Sequence, residues 1–490
     1  MLKTAREYVE SLRKLKLNLY LLGEKVEDWV NNPIIKPSTN AVAMTYKLAH
    51  EPKTEALATT ESLLTGKKVN RFNSLFRSPE DMVCKVKLQR EMGQRTACCF
   101  QRCVGMDGIN ATFSTTYEID EKHGTEYHKR FRKWLENIQE KDLCVAGAMT
   151  DVKGHRGVSP SKQADPDMFI HIVERRDGGI VISGAKANIT GTANSHEMLL
   201  MPTLRMQEED KDYAVCCAIP TDTKGITHIY GRQSCDTRKL ESGDIDVGNY
   251  NFGGHETLSV LENVFVPWER VFMCGEYDFS AMLVERFAAY HRQSYGGCKP
   301  GIADVLIGAA ASMADYNGVR RASHVRDKLA EMVHLSETLY GCGLASAYEG
   351  WKTRAGNFQS NILLSNVCKL NTTRFPYEIT RLAEDIAGGV LVTTPSEKDF
   401  KHPEIGKLVE KYLKGDPAYA TEARYRMLTL IHAMCFGVVA PSYHTESMHG
   451  AGSPQAQKIM IERESDMETK QRLARSIAGV DPREDPLEKT

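Results

Sequence analysis

The spacing of apolar residues divides the chain into three parts. Over residues 1–145 apolar positions recur at helical intervals. The clearest helix start is Ser78-Pro79-Glu80-Asp81. Ser78 can cap, Pro79 suits the first turn, and the two acids complement the positive end of the helix dipole. Met82, Val83, Val86 and Met92 continue the stripe towards a group of cysteines. If that helix persists, Cys99 and Cys103 share a face one turn apart, and Cys98 points about 100° away.

From 146 to 275 the period shortens. Segments 169–173 and 180–182 flank Arg176-Asp-Gly-Gly179, which predicts a hairpin. Segments 197–202, 213–220, 226–230 and 258–267 read as further strands of a compact antiparallel β domain. From 276 to 490 helices return. Val325, Leu329, Met332 and Leu339 form one stripe with Ser336 its weak position, and Asn317-Gly318 marks a break. A helical stretch at 359–387 ends at Gly388-Gly389, Gly415-Asp-Pro417 breaks the chain again, and 422–436 reads as a fourth helix. Long helices with short breaks predict an antiparallel four-helix bundle. The polar, proline-containing segment 480–490 reads as a frayed tail. The expectation is an α+β chain ordered helical, β, helical bundle.

Composition narrows the function classes. The chain has 490 residues, 41% hydrophobic and 26% charged, with a formal net charge of -1. Nothing draws the whole molecule to nucleic acid or an anionic membrane. No uncharged apolar run reaches the ~18 residues of a bilayer span, and the first 29 residues carry charges throughout, without an apolar signal-peptide region. Thirteen cysteines, an odd number with no framework spacing, suit a reducing compartment. A cytoplasmic location is expected.

The cysteines also open a chemical possibility. Arg95-Thr-Ala-Cys-Cys-Phe-Gln-Arg-Cys-Val-Gly105 offers Cys98, Cys99 and Cys103, and Tyr290-His-Arg-Gln-Ser-Tyr-Gly-Gly-Cys-Lys299 offers His291 and Cys298. Thiolate and imidazole together bind iron or zinc. Cys-x3-Cys and His-x6-Cys match no common zinc or ferredoxin pattern, so spacing alone favours buried, apolar cysteines. Against that stands the density of functional groups around Cys298, in what reads as one turn and a loop, where Gly296-Gly297 permits close backbone approach. The glycines at Gly388-Gly389 and in His449-Gly-Ala-Gly-Ser-Pro-Gln-Ala-Gln457 could cradle phosphate or simply cap helices. Neither forms a G-x-G-x-x-G turn after a strand, so a dinucleotide-binding domain of that kind is not supported. Ala148-Met-Thr-Asp151 and Lys186-Ala-Asn-Ile-Thr-Gly-Thr192 could hold a flavin ring or be ordinary strand-end turns. Glu256 and Glu446 could line a pocket or sit on the surface.

Longer motifs add a resemblance. Val260-Leu-Glu-Asn-Val-Phe-Val-Pro267 is similar to the F-E-D-V-x-V-P strand of the acyl-CoA dehydrogenase-like superfamily. The helical, β, four-helix-bundle order resembles that fold, and in particular its 4-hydroxyphenylacetate 3-hydroxylase branch. Ala97-Cys-Cys-Phe-Gln-Arg-Cys-Val-Gly-Met-Asp107, Pro160-Ser-Lys-Gln-Ala-Asp-Pro-Asp167, Tyr230-Gly-Arg-Gln-Ser-Cys-Asp-Thr-Arg238, the 290–298 stretch and Thr445-Glu-Ser-Met-His-Gly-Ala-Gly-Ser-Pro-Gln455 resemble the 4-hydroxybutyryl-CoA dehydratase family within it.

That resemblance implies a homotetramer with FAD and a 4Fe-4S cluster in each subunit. The implied cluster ligands are Cys99, Cys103, His291 and Cys298, with Cys98 a bystander. Thr190, Glu256, Tyr295, Lys299 and Glu446 are implied near substrate or flavin. Flavin contacts are implied at Ala148, Met149, Thr150 and Asp151, at His155, Arg156, Gly157 and Val158, at Asn188, Ile189 and Thr190, and at Gly388 and Gly389. The implied domains are a helical 1–145 carrying Cys99 and Cys103, an antiparallel β domain at 146–275 contacting flavin, and a bundle at 276–490 with His291, Cys298 and the oligomer interface. The family dehydrates 4-hydroxybutyryl-CoA to crotonyl-CoA by a radical route and isomerises vinylacetyl-CoA. In that route His291 is the candidate base at C2, Tyr295 and Lys299 are donors, and Glu446 and Glu256 relay protons. Two departures stand out: His255 replaces an expected glutamine, and Asn188-Ile189 replaces an expected His-Gln. The rival expectation is a flavin-dependent monooxygenase or acyl-CoA dehydrogenase without a cluster, and a further one is a non-catalytic metal- or nucleotide-binding scaffold.

Overall fold

The computed structural model describes residues 2–232, 243–245, 247 and 250–480. The expected tail beyond 480 and most of the 230–238 motif lie outside the described residues. Helices dominate the first part: α1 (Ala5–Leu12), α2 (Lys36–Lys47), α3 (Glu55–Ala58), α4 (Pro79–Thr96), α5 (Cys103–His123) and α6 (Tyr127–Glu140). The Ser78 side chain accepts from the Asp81 N–H and Pro79 opens α4, as the sequence predicts. The first part is not purely helical, however. β1 (Leu19–Leu21) and β2 (Glu24–Lys25) leave it to join a larger sheet, and β3 (Thr59–Glu61) pairs with β4 (Lys68–Asn70). Strands of two or three residues are too short to show alternation.

The central strands are β5 (Val145–Ala148), β6 (His171–Arg176), β7 (Gly179–Thr190), β8 (Glu197–Leu200), β9 (Val215–Pro220), β10 (Ile226–Tyr230), β11 (Glu256–Pro267) and β12 (Val271–Cys274). They form one sheet ordered β2-β1-β10-β11-β7-β6 and another ordered β12-β9-β8-β5. Arg176 pairs with Gly179, so Asp177-Gly178 is the two-residue hairpin turn. The antiparallel expectation needs correcting, because β1 pairs parallel with β10 and β5 parallel with β8. No tight turn links β1 to β10 or β5 to β8, so neither pair is constrained to run antiparallel.

The last part contains α7 (Ser280–Tyr316), α8 (Ser323–Tyr348), α9 (Ile362–Thr372), α10 (Phe375–Ala387), α11 (Glu397–Lys401), α12 (Gly406–Tyr412), α13 (Thr421–Cys435), α14 (Glu446–His449), α15 (Pro454–Glu464) and α16 (Met467–Ile477). The single helix expected at 359–387 is two. Asn361 caps α9, and Pro376 falls in the first turn of α10, where its missing N–H costs nothing. α8 buries Val325, Leu329, Met332 and Leu339 as its stripe predicts, and it also buries Leu335 and Ser336. No helix among the described residues is long and apolar enough to cross a membrane.

α7 is the hub. It packs against α4, α8, α9, α5, α10 and α13. The turn and loop expected around Gly296-Gly297 do not exist, since α7 runs unbroken through them and through Pro300. The glycines serve helix contact instead. A Cβ on Gly296 would lie 2.6 Å from Gly343 Cα of α8, one on Gly297 2.5 Å from Val86 O of α4, and one on Gly301 2.2 Å from Arg90 O of α4. α4 and α7 therefore touch backbone to backbone beside the cysteine segment. Gly301→Ala tests this contact. Ala gains up to about 1 kcal/mol of helix propensity, but the clash is with fixed backbone and overpacking costs roughly 1–3 kcal/mol. A net fall in the urea-unfolding midpoint is expected; a raised midpoint would show that the helices separate at no cost.

Candidate functional site

α4 stops at Thr96, before the cysteines. Ala97 takes a left-handed conformation (φ 51°) and its N–H donates to Gly93 O at 2.8 Å. Cys99 and Cys103 are thus not on one helix. Cys98 and Cys99 lie in a connecting turn, and Cys103 opens α5, whose positive dipole end favours a thiolate there. Neighbouring side chains pin the turn. Gln101 (φ 67°) donates to Ser38 O and Gly253 O at 3.0 and 3.1 Å. The buried Arg102 donates to Thr45 Oγ1 at 3.0 Å and stacks over Tyr46. Cys98 points into the bundle core. Cys99 packs beside Gly254 and Ser442, where a Cβ on Gly254 would sit 3.2 Å from Cys99 Cβ.

The opposite wall is one face of α7. His291, Tyr295 and Cys298 recur at i, i+4 and i+7, with Lys299 completing the turn. His291 Nδ1 lies 2.9 Å from Asp107 Oδ2, and its ring stacks on Phe287 and meets Tyr295 edge-on. Tyr295 OH donates to Glu446 O at 3.3 Å. Lys299 Nζ donates to Ser442 O at 2.5 Å and lies 4.0 Å from Glu446 Oε2. Thr190 Oγ1 donates to both Glu256 carboxyl oxygens, at 2.7 and 2.9 Å, and the two residues are register partners on β7 and β11.

Electrostatics ties these groups together. Loss of water, then the charge of Glu446, pushes the Cys99 thiol up, with Cys103 adding to it. The Cys103 thiol is raised by burial and next by Cys298. Cys298 is also raised by burial, with Lys299 the main opposing influence. Burial works against the Lys299 charge, but Cys298, Glu446, Cys99 and Cys103 outweigh it. Burial and Glu446, which shares a hydrogen bond with it, hold the Glu256 carboxyl well above the usual range. The half-buried Cys99 and Cys298 and the buried Cys103 thus act on the Lys299 ammonium, beside a carboxyl pushed towards its neutral form. Among the described residues no three His, Cys, Asp or Glu side chains converge on a single ion.

Of the flavin candidates, Ala148, Met149, Thr150 and Asp151 end β5 and are tied to β7 by Lys186. Its Nζ donates to Met149 O, Met201 O and Asp151 Oδ1 at 2.8, 2.8 and 2.5 Å. Asn188 is left-handed (φ 53°) at a register shift between β7 and β11, a conformation asparagine tolerates. The bulge leads into Ile189 and Thr190. His155, Arg156, Gly157 and Val158 form an exposed turn braced by Gln163. Gly388 and Gly389 close α10 with open space where a Cβ would lie. The unexpected His255 is buried behind the site, stacked on Tyr230 and bonded to Ser38 and Ala193, and burial lowers its pKa to about 3.

Three groups near the site, Lys369, Lys85 and Asp107, escaped the sequence reading. Lys369 of α9 donates to Ser447 O at 2.5 Å and lies over the Tyr295 ring, and burial followed by Lys299 lowers its pKa to about 7. Arg292 is buried against Asn366 and Ala451 O. Lys85 lies 2.7 Å from Asp107 Oδ1. Only Asp107 left a trace in the sequence: it falls one turn after Cys103.

The sequence matches the family described as 4-hydroxyphenylacetate 3-hydroxylase, its N-terminal part over residues 4–273 and its C-terminal part over 280–479. The 4-hydroxybutyryl-CoA dehydratase/vinylacetyl-CoA-Delta-isomerase of Clostridium aminobutyricum is 59% identical, over 98% of this chain and 100% of that protein. An oxygen-tolerant archaeal 4-hydroxybutyryl-CoA dehydratase from N. maritimus superposes with a TM-score of 0.96 at 55% identity, covering 100% and 98% of the two chains. The oxygenase component of 4-hydroxyphenylacetate 3-monooxygenase complexed with FAD superposes with a TM-score of 0.85 at 24% identity, over 97% and 98%, a likeness of fold.

Removing Lys186 while leaving Asp151 buried should cost roughly 3–5 kcal/mol. Lys186→Met is expected to lower the urea midpoint accordingly, and Lys186→Met/Asp151→Asn to recover part of it. Equal midpoints for the single variant and the unaltered protein would count against the pair as the tie between β5 and β7.

Proposed function

The chain belongs to the 4-hydroxyphenylacetate 3-hydroxylase family, and from that premise we propose that it dehydrates 4-hydroxybutyryl-CoA to crotonyl-CoA and isomerises vinylacetyl-CoA to the same product. The observation that carries this reading is the grouping of three thiols with Lys299, Glu446 and Glu256. The 59% identity to a dehydratase along the whole chain supports the substrate.

The residues suit the two cofactors. Cys103 lies close enough to raise the Cys99 thiol and Cys298 to raise the Cys103 thiol, and cysteine sulfurs with an imidazole are a donor set for iron. Cys99, Cys103, Cys298 and His291 would hold the 4Fe-4S cluster. The ends of β5 and β7, with Ala148 to Asp151 and Asn188 to Thr190, would hold FAD, as would the turn His155 to Val158. Gly388 and Gly389 would contribute from the exposed end of the bundle. The domains run 1–145, 146–275 and 276–490, and the active form is a cytoplasmic homotetramer.

When bound, the cluster supplies a Lewis acid for a substrate oxygen, and the flavin a reversible one-electron acceptor that leaves the net reaction redox-neutral. The protein handles the protons. Released from the cluster, His291 would take the proton from C2 through the ring nitrogen that Asp107 does not hold. Lys299 and the Tyr295 hydroxyl donate towards the leaving hydroxyl. Glu256, kept neutral by burial and by Glu446, is an acid poised beside a base. Thr190 fixes which way that carboxyl points.

Anaerobic purification should yield protein with FAD and with iron and sulfide in equal amounts. His291→Ala should lose iron and dehydratase activity, and full activity at unchanged iron content would sink the ligand assignment. A yellow, iron-free wild-type protein that needs oxygen for turnover would favour a monooxygenase. Glu256→Gln should keep both cofactors and lower kcat roughly 10²–10⁴-fold, the usual contribution of a positioned acid or base. An unchanged kcat would remove Glu256 from the proton path.

A further inference from the structure

We infer that Asp107, clamped by Lys85, is a positioning residue that sets the tautomer of His291 and thereby directs its Nε2 at the reaction centre; this rests on the cluster reading above. Asp107 lies on α5 one turn after Cys103, so the helix face that presents the thiol also presents the carboxylate. It meets α7 where His291 and Ser294 share a face. Oδ2 lies 2.9 Å from His291 Nδ1 and accepts from Ser294 Oγ at 2.9 Å. Oδ1 is matched by the Lys85 ammonium at 2.7 Å as an ion pair and has no hydrogen-bond partner besides. Lys85 is itself fixed by donation to Tyr290 O at 2.7 Å and Gln293 Oε1 at 3.3 Å. The side chains of Lys85 and Asp107 are wholly buried.

A carboxylate surrounded by these donors can only accept. Nδ1 must therefore carry the hydrogen, and the lone pair falls to Nε2. Phe287 stacked on the ring and Tyr295 at its edge restrict rotation. Among the described residues Nε2 makes no hydrogen bond, so the one free lone pair of the ring is the one that can bind iron or take a proton. Released from iron, Nε2 would take the proton from C2: the C2–H bond breaks, the N–H bond forms and the electron pair stays on the substrate as its enolate. Asp107 holds Nδ1 from the far side of the ring. This is the outer-shell partner of a metal-ligating histidine, whose loss costs about 10–100-fold in metal affinity or activity.

Asp107→Asn keeps the shape but offers an amide that can donate to Nδ1 and move the lone pair away from Nε2. The experiment compares iron and sulfide content, the electron paramagnetic resonance spectrum of the reduced cluster and kcat. It uses anaerobically purified wild type, Asp107→Asn, His291→Cys and Asp107→Asn/His291→Cys. The single Asp107→Asn variant should lose iron or change its spectrum and fall about 10–100-fold in kcat, and its unfolding midpoint should fall as well, because Lys85 is left buried without its carboxylate. In the His291→Cys background, where no tautomer exists, adding Asp107→Asn should change iron content and spectrum no further. Wild-type iron, spectrum and kcat in Asp107→Asn would overturn the inference. An equal loss in both backgrounds would also overturn it, by showing a purely structural role. A wild-type protein without iron and sulfide would overturn the cluster reading beneath it, and the inference with it.

Discussion

Everything at the site depends on how closely α4 and α7 approach. Two helices with ordinary side chains between them pack about 8–10 Å apart. Here Gly93, Gly297 and Gly301 leave backbone against backbone, with Gly93 lying within 2.8 Å of Cys298 O for any added Cβ. That contact brings the Lys85 ammonium of α4 onto Tyr290 O of α7 and sets the end of α4, and so the cysteine turn, against Cys298. Pro300, which removes one backbone N–H from α7, sits inside this zone, yet the helix continues because neighbours on every side hold it.

The same closeness creates a charge problem. Lys85, Lys299, Lys369 and Arg292 are all buried around α7. Asp107 answers Lys85, but Lys369 is held by a carbonyl and lies over an aromatic face, and Lys299 has Glu446 only at 4.0 Å. Unpaired buried cations are costly. Cys298, Glu446, Cys99 and Cys103 favour the charge on Lys299, and Cys368 and Cys298 favour that on Lys369, whereas burial opposes both.

Much of the architecture was legible in the chain. The Ser78 cap, the Asp177-Gly178 turn, the long strand ending at Pro267 and the α8 stripe follow from local chemistry that tertiary contacts did not override. The site was legible in another way: its residues came from long motifs, and their grouping could not be read from spacing. Two local signals misled. Nothing in Thr96-Ala97 marks a helix end, because alanine is a strong helix former and adopts a left-handed backbone here only under the pull of Gln101, Arg102 and their partners. Gly296-Gly297 reads as a loop, since the packing that keeps it helical lies on α4 and α8. Asp107 and Lys85 were invisible as a pair because a buried ion pair between distant helices leaves no periodic trace.

The parallel pairing of β1 with β10 has a consequence for synthesis. Asn18 bonds Thr227 across 209 residues of chain, and β1 joins the edge strand β2 to the rest of the six-stranded sheet. At roughly 5–20 residues per second, a ribosome needs on the order of ten to forty seconds to deliver the partner strand after β1 emerges. Throughout that interval the N-terminal segment has no sheet to join, and Leu19 and Leu21, buried in the finished protein, remain open to other chains. The newborn chain must be guarded at its first strand long before the cysteines of the site have anything to bind.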